Sequence, residues 1–138
     1  MNRQEILEFA AKNPVFALAT TEGGAARVRM MMLCSADENG LIFSTGTDKD
    51  VHRQMLANPT VEMCFYSADD QKQVRITGRV QLLDDMEPKK RIVEDFPFLK
   101  PWVEEHGYDV LAPWCMKKGK ALVWTMATDS DPKQYVEI

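Results

Sequence analysis

Between Gln73 and Leu83 the side chains Val74, Ile76, Gly78, Val80 and Leu82 alternate with Gln73, Arg75, Thr77, Arg79 and Gln81. A period of two held this long suits a β-strand with one buried face and one polar face, and no helix has that period. A strand carries backbone donors and acceptors along both edges, so this one commits the chain to building a sheet around it. The polar face then meets either water or a subunit contact lined with charges.

Other segments supply partners for that strand. Asn2 followed by Glu5 has the pattern of a capping box, and Ile6, Leu7, Phe9 and Ala10 recur at helical spacing. Pro14 ends this first helix, because the residue before a proline avoids the α region. Val15 to Thr20 reads as a buried strand, Glu22-Gly23-Gly24-Ala25 as a turn, and Ala26 to Ser35 as the returning strand. Asp37-Glu38-Asn39-Gly40 holds an Asn-Gly pair suited to a tight hairpin, and Leu41 to Thr45 follows as a short strand. Val51, Met55 and Leu56 then mark one face of a short helix closed by Asn58-Pro59. Val61 to Tyr66 is a further strand, and Ala121 to Ala127 the last.

Residues 84 to 118 hold little strand signal. Asp84 to Pro88 looks like a helix start, and Pro97, Pro101 and Pro113 divide the rest into short helices and loops. The expectation is a mostly β fold with attached helices, built on six antiparallel strands that close into a small barrel or sandwich. A length of 138 residues suits one domain over 1–138, with 128–138 a polar C-terminal tail.

Composition narrows the function classes. No apolar run approaches the roughly 18 residues needed to span a bilayer, and the first residues lack the pattern of a secretory signal. A cytoplasmic protein without membrane contact is expected. The net charge of −4 argues against a nucleic-acid partner. Cys34, Cys64 and Cys115 form no CxxC pair and read as free buried thiols. His52 and His106 stand apart from any cluster of carboxylates or cysteines, so no metal site is expected. Spacing gives no catalytic triad and no Gly-rich nucleotide motif, and Asp69-Asp70 and Asp84-Asp85 read as solvated turns.

The junction Ser44-Thr45-Gly46-Thr47-Asp48-Lys49 is the most informative stretch for chemistry. Thr47 fits an N-cap, and Gly46 lets the backbone approach a ligand closely. Lys49 then falls in the first helical turn, where a cation opposes the helix dipole unless an anion lies between them. Phosphate is the natural anion. A solvated lysine on an exposed turn accounts for the same residues at a cost of a few tenths of a kcal/mol. On the preceding strand Arg27 and Arg29 share one face with Met31 and Leu33, and arginine pairs with phosphate bidentately. An outward polar face is the simpler account of that pair, and the run Met30-Met31-Met32 reads first as core packing. Of the three tryptophans, Trp124 belongs to a strand and a core position. Trp114, read as a loop residue after Pro113, is the candidate for a ligand wall or dimer seam.

In this order the pieces resemble the pyridoxamine 5′-phosphate oxidase-like family of FMN-binding split barrels. Val15 to Gly23 is similar to the family's opening strand and turn. Ala26 to Met31 is similar to its P-x-V-R-P-M pattern, with alanine and methionine in place of the prolines. Phe43 to Lys49 resembles its T-x-S-x-K phosphate segment, Leu56 to Val61 its L-x-x-N-P-x-V, and Val74 to Val80 its V-x-V-x-G-x-A/V strand.

The resemblance covers residues 1 to about 127. It implies a six-stranded antiparallel Greek-key split β-barrel that forms a homodimer with FMN at the subunit interface. It also implies that Arg29, Thr47 and Lys49 bind the phosphate and that Met30, Met31 and Met32 line the isoalloxazine. Ser44 and Thr45 would lie beside the ring or ribityl chain, Gln54 would reach the ribityl or phosphate, and Trp114 would be added from the partner. The implied function is an FMN-dependent oxidoreductase, with a small-molecule substrate or a donor such as NAD(P)H. A flavin carrier or redox sensor without turnover, and a split barrel holding deazaflavin or haem, remain alternatives. Pyridoxamine phosphate oxidase proper ends in an arginine-bearing substrate segment, and Tyr135-Val136-Glu137-Ile138 has no equivalent. Vitamin B6 oxidation is therefore not assigned.

Overall fold

A computed structural model describes residues 1–138. Its elements are α1 (Arg3–Lys12), β1 (Val15–Glu22), β2 (Ala25–Asp37), β3 (Gly40–Gly46), α2 (Asp50–Ala57), β4 (Thr60–Ser67), β5 (Lys72–Arg79), β6 (Gln81–Leu82), α3 (Met86–Asp95), α4 (Lys100–His106), β7 (Leu111–Met116), β8 (Gly119–Thr125) and β9 (Tyr135–Glu137). The nine strands form one sheet in the order β6-β7-β3-β2-β1-β4-β5-β8-β9, and every neighbouring pair is antiparallel.

Local chemistry explains the early elements. The capping box forms as expected: Asn2 Oδ1 accepts the Glu5 N–H at 2.9 Å and the Glu5 carboxylate accepts the Asn2 N–H at 2.8 Å. Gly23 and Gly24 both take positive φ, 56° and 84°, which lets a two-residue turn join β1 to β2. Gly40 (φ 116°) closes the next hairpin, so β1, β2 and β3 form the expected meander.

The long alternating strand is broken at Val80. Residues 72–79 pair with β4 and β8, whereas Gln81 and Leu82 pair with β7 at the other end of the strand order. One residue therefore joins strands that lie first and seventh in the sheet. That short link requires the sheet to curl back on itself into a half-barrel. Val80 sits at the seam, donating its N–H to the Pro59 carbonyl at 2.9 Å with its side chain in the core.

The strand count of six is thus corrected to nine: β6 separates from β5, and β7 and β9 were not expected. All six residues of β7 are buried, so it lacks the alternation that marks a half-buried strand, and Pro113 lies inside it. Of the polar tail, Tyr135–Glu137 pairs with β8 and Ile138 reaches the core. Its two inward apolar positions, Val136 and Ile138, are too short a pattern to read from sequence.

The main core fills the curl. Phe16 stacks on Phe65 at a centroid distance of 5.0 Å and meets Phe43 edge-on at 5.7 Å, while α1 adds Ile6, Leu7, Phe9 and Ala10. Removing a ring such as Phe16 is expected to cost about 3–5 kcal/mol. A second, smaller cluster holds Ile92 and Val93 of α3, Val103 of α4 and Leu111 of β7, with half-buried Ile42 and Cys34 against it. Strand β3 is therefore covered on both faces: Leu41 and Phe43 face the main core, and Ile42 faces the helices. No helix is long and apolar enough to cross a membrane.

Candidate functional site

The junction between β3 and α2 is built differently at its cap than the sequence suggests. Thr47 does not cap α2; its N–H donates to the Val110 carbonyl at 2.9 Å, which draws Thr47 and Asp48 into a turn. Lys49 takes the cap position, with an extended backbone (φ −85°, ψ 147°) and no side-chain cap hydrogen bond. It therefore precedes the helix rather than standing in its first turn. The first N–H groups of α2 receive no side-chain cap from Lys49, and the Asp50 carboxylate in the first turn already complements part of the positive helix end. Gly46 is close to its neighbours, though the nearest atom is the tip of an exposed side chain that can move aside. A Cβ there would lie 2.7 Å from Asp48 Oδ1 and 3.5 Å from the Trp102 ring. Thr47, Asp48 and Lys49 are all exposed.

Ser44 and Thr45 are half-buried neighbours on β3, and alternation sends their side chains to opposite faces. Thr45 shares the face of Phe43. Ser44 shares the face of Ile42, where its hydroxyl lies 3.9 Å from Cys34 Sγ. One ligand can thus be flanked by both only through the backbone. Cys34 itself stands where the β2–β3 register shifts between Leu33 and Ser35. All three cysteines are free, but only Cys115 is fully buried, so the expectation of three buried thiols is corrected. Burial still pushes each thiol above its ordinary pKa.

Arg29 and Gln54 are brought together. Arg29 lies on the inward face of β2, opposite Leu18 of β1. Its Nη1 donates to the Leu18 carbonyl at 3.2 Å and to Thr20 Oγ1 at 2.7 Å, and its Nη2 to Gln54 Oε1 at 2.5 Å. Thr20 Oγ1 donates to the same Gln54 oxygen at 2.6 Å, and Gln54 Nε2 donates to Glu22 Oε2 at 3.2 Å. Arg53 bridges outward, to Glu22 and to Asp50 at 2.8 Å each, and Arg27 lies 3.5 Å from Glu22. Hydrogen bonds from Gln54 and then Arg53 hold the Glu22 carboxyl below its ordinary pKa. Burial pulls the Arg29 guanidinium down from its usual value, against the opposing fields of Asp50 and Glu22.

Four arginine and lysine side chains (Arg27, Arg29, Lys49, Arg53) thus gather around the start of α2 with three carboxylates (Glu22, Asp48, Asp50). Thr20 and Glu22 were missed by the sequence reading. Thr20 carried a signal: it continues the inward series Phe16, Leu18, and a polar residue at such a position needs a partner.

Three further placements differ from expectation. Trp114 is in strand β7 rather than a loop, 2% exposed, and packed in the main core. Its indole Nε1–H donates to His52 Nδ1 at 3.2 Å, with the rings edge to face at 5.5 Å. Burial holds His52 below its ordinary pKa, and the bond from Trp114 leaves the ring proton on Nε2. Leu56 was grouped with the buried face of α2 but is exposed, and His52 and Gln54 are buried instead. Trp124 is half-buried at the surface, its indole donating to Asp129 at 2.6 Å.

The methionine run divides between faces. Met31 is half-buried against the core, while Met30 and Met32 point outward. Together with Val28 (71% exposed), Val15 and Tyr66 they form an apolar outer sheet face. The pairs Val15↔Met32, Ala17↔Met30 and Ala17↔Cys64 make that face continuous across β2, β1 and β4.

Comparisons with known proteins agree with this architecture. A pyridoxine/pyridoxamine 5′-phosphate oxidase from Anaeromyxobacter dehalogenans is 37% identical over 90 residues, covering 62% of this chain and 46% of the relative. The match thus spans less than half of that relative's length. Among solved structures, a NimC/NimA family protein from Clostridium acetobutylicum superposes with a TM-score of 0.80 at 27% identity, covering 99% of this chain and 93% of that one. Two more share the fold at low identity. One is a FAD-binding protein from Mesorhizobium loti (TM-score 0.62, 18% identity, 88% and 92% covered). The other is a haem-binding protein from Mycobacterium smegmatis (TM-score 0.73, 13% identity, 97% and 57% covered). Residues 3–108 match the model of the pyridoxamine 5′-phosphate oxidase family, and this chain belongs to that family.

Proposed function

We propose that this chain binds FMN between the β3–α2 junction and Arg29, as a homodimer, and acts as an FMN-dependent oxidoreductase. The observation that carries the reading is that Arg29 and Lys49, near the start of α2, stand outside the ion pairs that join Arg27 and Arg53 to Glu22 and Asp50. Lys49 stands beside an uncapped helix terminus, and Arg29 is drawn to the same helix through Gln54. A phosphate monoester dianion would suit this donor set, since backbone N–H groups, a lysine and an arginine could all serve one such anion. Thr47 adds an exposed hydroxyl on the same turn. We read the curled antiparallel sheet as the family's split barrel.

The outer face of β2, β1 and β4 supports the dimer. Contiguous exposed Val28, Met30, Met32, Val15 and Tyr66 form the kind of apolar patch that marks an association surface. A second copy presenting the same patch satisfies it symmetrically. Met30 and Met32 then belong to the interface, and Met31 remains on the inner side. FMN, when bound, supplies hydride or electron transfer, so the protein needs to bind and orient it rather than provide an acid or base.

The test is spectroscopic and kinetic. Purified protein with added FMN is expected to give a bound flavin spectrum and steady NAD(P)H oxidation with an added acceptor. Bound flavin without turnover would make the chain a carrier or sensor. A protein that ignores FMN would remove the proposal.

A further inference from the structure

The hydrogen bonds around Arg29 do more than fasten α2 to β1. A guanidinium has five N–H donors. Leu18 O and Thr20 Oγ1 take both on Nη1, and Gln54 Oε1 takes one on Nη2. Thr20 Oγ1 and Gln54 Oε1 are themselves 2.6 Å apart, so they sit side by side along the edge between Nη1 and Nη2. What remains is the Nε–H and the second Nη2 N–H. These two lie parallel on another edge of the same plane, and that fork matches two oxygens of one phosphate or carboxylate.

Gln54 fixes which edge is left. Its side chain is 4% exposed. Its oxygen accepts from Thr20 and Arg29, and its nitrogen donates to Glu22. A flipped amide would put its N–H groups against the guanidinium and its oxygen against the Glu22 carboxylate. Glu22 therefore sets the amide's orientation and, through it, the guanidinium's. The carboxylates whose fields reach Arg29, Asp50 and Glu22, are each bound by Arg53 at 2.8 Å and do not close the fork.

We propose that Gln54, oriented by Thr20 and Glu22, is a positioning residue that presents the free Nε/Nη2 edge of Arg29 to a phosphate monoester, making the site select FMN over riboflavin. This rests on the FMN reading above. It changes the role of Gln54 from a ligand contact to a residue acting through Arg29.

The experiment titrates FMN and riboflavin into the wild-type protein and into the Gln54→Met and Thr20→Val variants. Wild type is expected to prefer FMN. Each variant should lose about tenfold or more in FMN affinity, the scale of one hydrogen bond to a charged group, while riboflavin affinity stays unchanged. A role in packing alone would weaken both ligands equally. Equal weakening, or an unchanged FMN-to-riboflavin ratio in both variants, overturns the positioning role and leaves the cofactor reading standing. A wild type that binds neither flavin overturns both. Circular dichroism melting shows whether Gln54→Met folds; if it does not, the nearly isosteric Thr20→Val decides.

Discussion

Along β2, Arg29, Met31 and Leu33 point inward while Val28, Met30 and Met32 point outward, and all six come from one unbroken run. The inward side chains meet the core and a hydrogen-bonded network. The outward ones are apolar and exposed. By residue type the outward Val28, Met30 and Met32 look like core, while the inward series includes an arginine beside Met31 and Leu33. The difference teaches that alternation assigns residues to a common face but does not say what covers that face. An inward arginine is tolerated because acceptors on β1 and α2 are placed for it. The outward methionine stripe is the surface that the proposed second subunit would cover.

That contrast can be broken from either side, and the largest effect is expected inside. Leu33→Ala removes a buried side chain from the main core and should destabilise the fold by about 2–5 kcal/mol in urea unfolding. The equivalent truncation outside, Met30→Ala, is expected to change the unfolding of an isolated subunit by no more than about 0.5 kcal/mol. If both cost the same, the two faces do not differ as described.

Placing a charge on the outer face sharpens the contrast next. Met30→Glu should convert a dimer to monomer by sedimentation while the circular dichroism spectrum is retained, because like charges would meet across a symmetric contact. Retention of the dimer would move the subunit contact elsewhere. Smaller again is the expected loss at the helix start: Lys49→Ala should weaken FMN binding by about 1.5–3 kcal/mol, read by fluorescence titration. Unchanged affinity would return Lys49 to an ordinary solvated turn.

The smallest expected effect concerns His52, behind the site. Its pKa is lowered by burial in the folded protein, so the unfolded chain binds the proton more readily. Its contribution to stability is therefore complete above the unfolded value of about 6.5 and lost as the pH falls below it, with a limiting slope of about 1.4 kcal/mol per pH unit. Protonation at Nδ1 would also remove the acceptor for Trp114. His52→Gln should flatten stability between pH 6.5 and the carboxylate range, measured by thermal melts. An identical pH profile in the variant would show that another group titrates there.

Much of this was legible in the chain. The capping box at Asn2, the paired glycines after β1 and the alternation through Val74 and Ile76 are local signals, and each formed as read. β7 was not legible, because a strand covered on both faces has no alternation and this one contains Pro113. The break at Val80 was hidden for the opposite reason. The period of two continues through it, and only the change of partner from β8 to β7 reveals two strands. At the site, Arg29 and Lys49 stood out by residue type. Thr20, Glu22 and the second role of Gln54 depend on contacts 31 to 34 residues apart in the chain, which no local pattern encodes.

The cofactor claim meets its most direct test in one combined measurement, FMN titration with the solution mass followed by light scattering. The account predicts a flavin spectrum that saturates at one FMN per chain, on a particle of twice 15.7 kDa. A colourless particle of 15.7 kDa that leaves added FMN free would contradict it, as would a purified protein carrying a haem or deazaflavin spectrum in place of FMN.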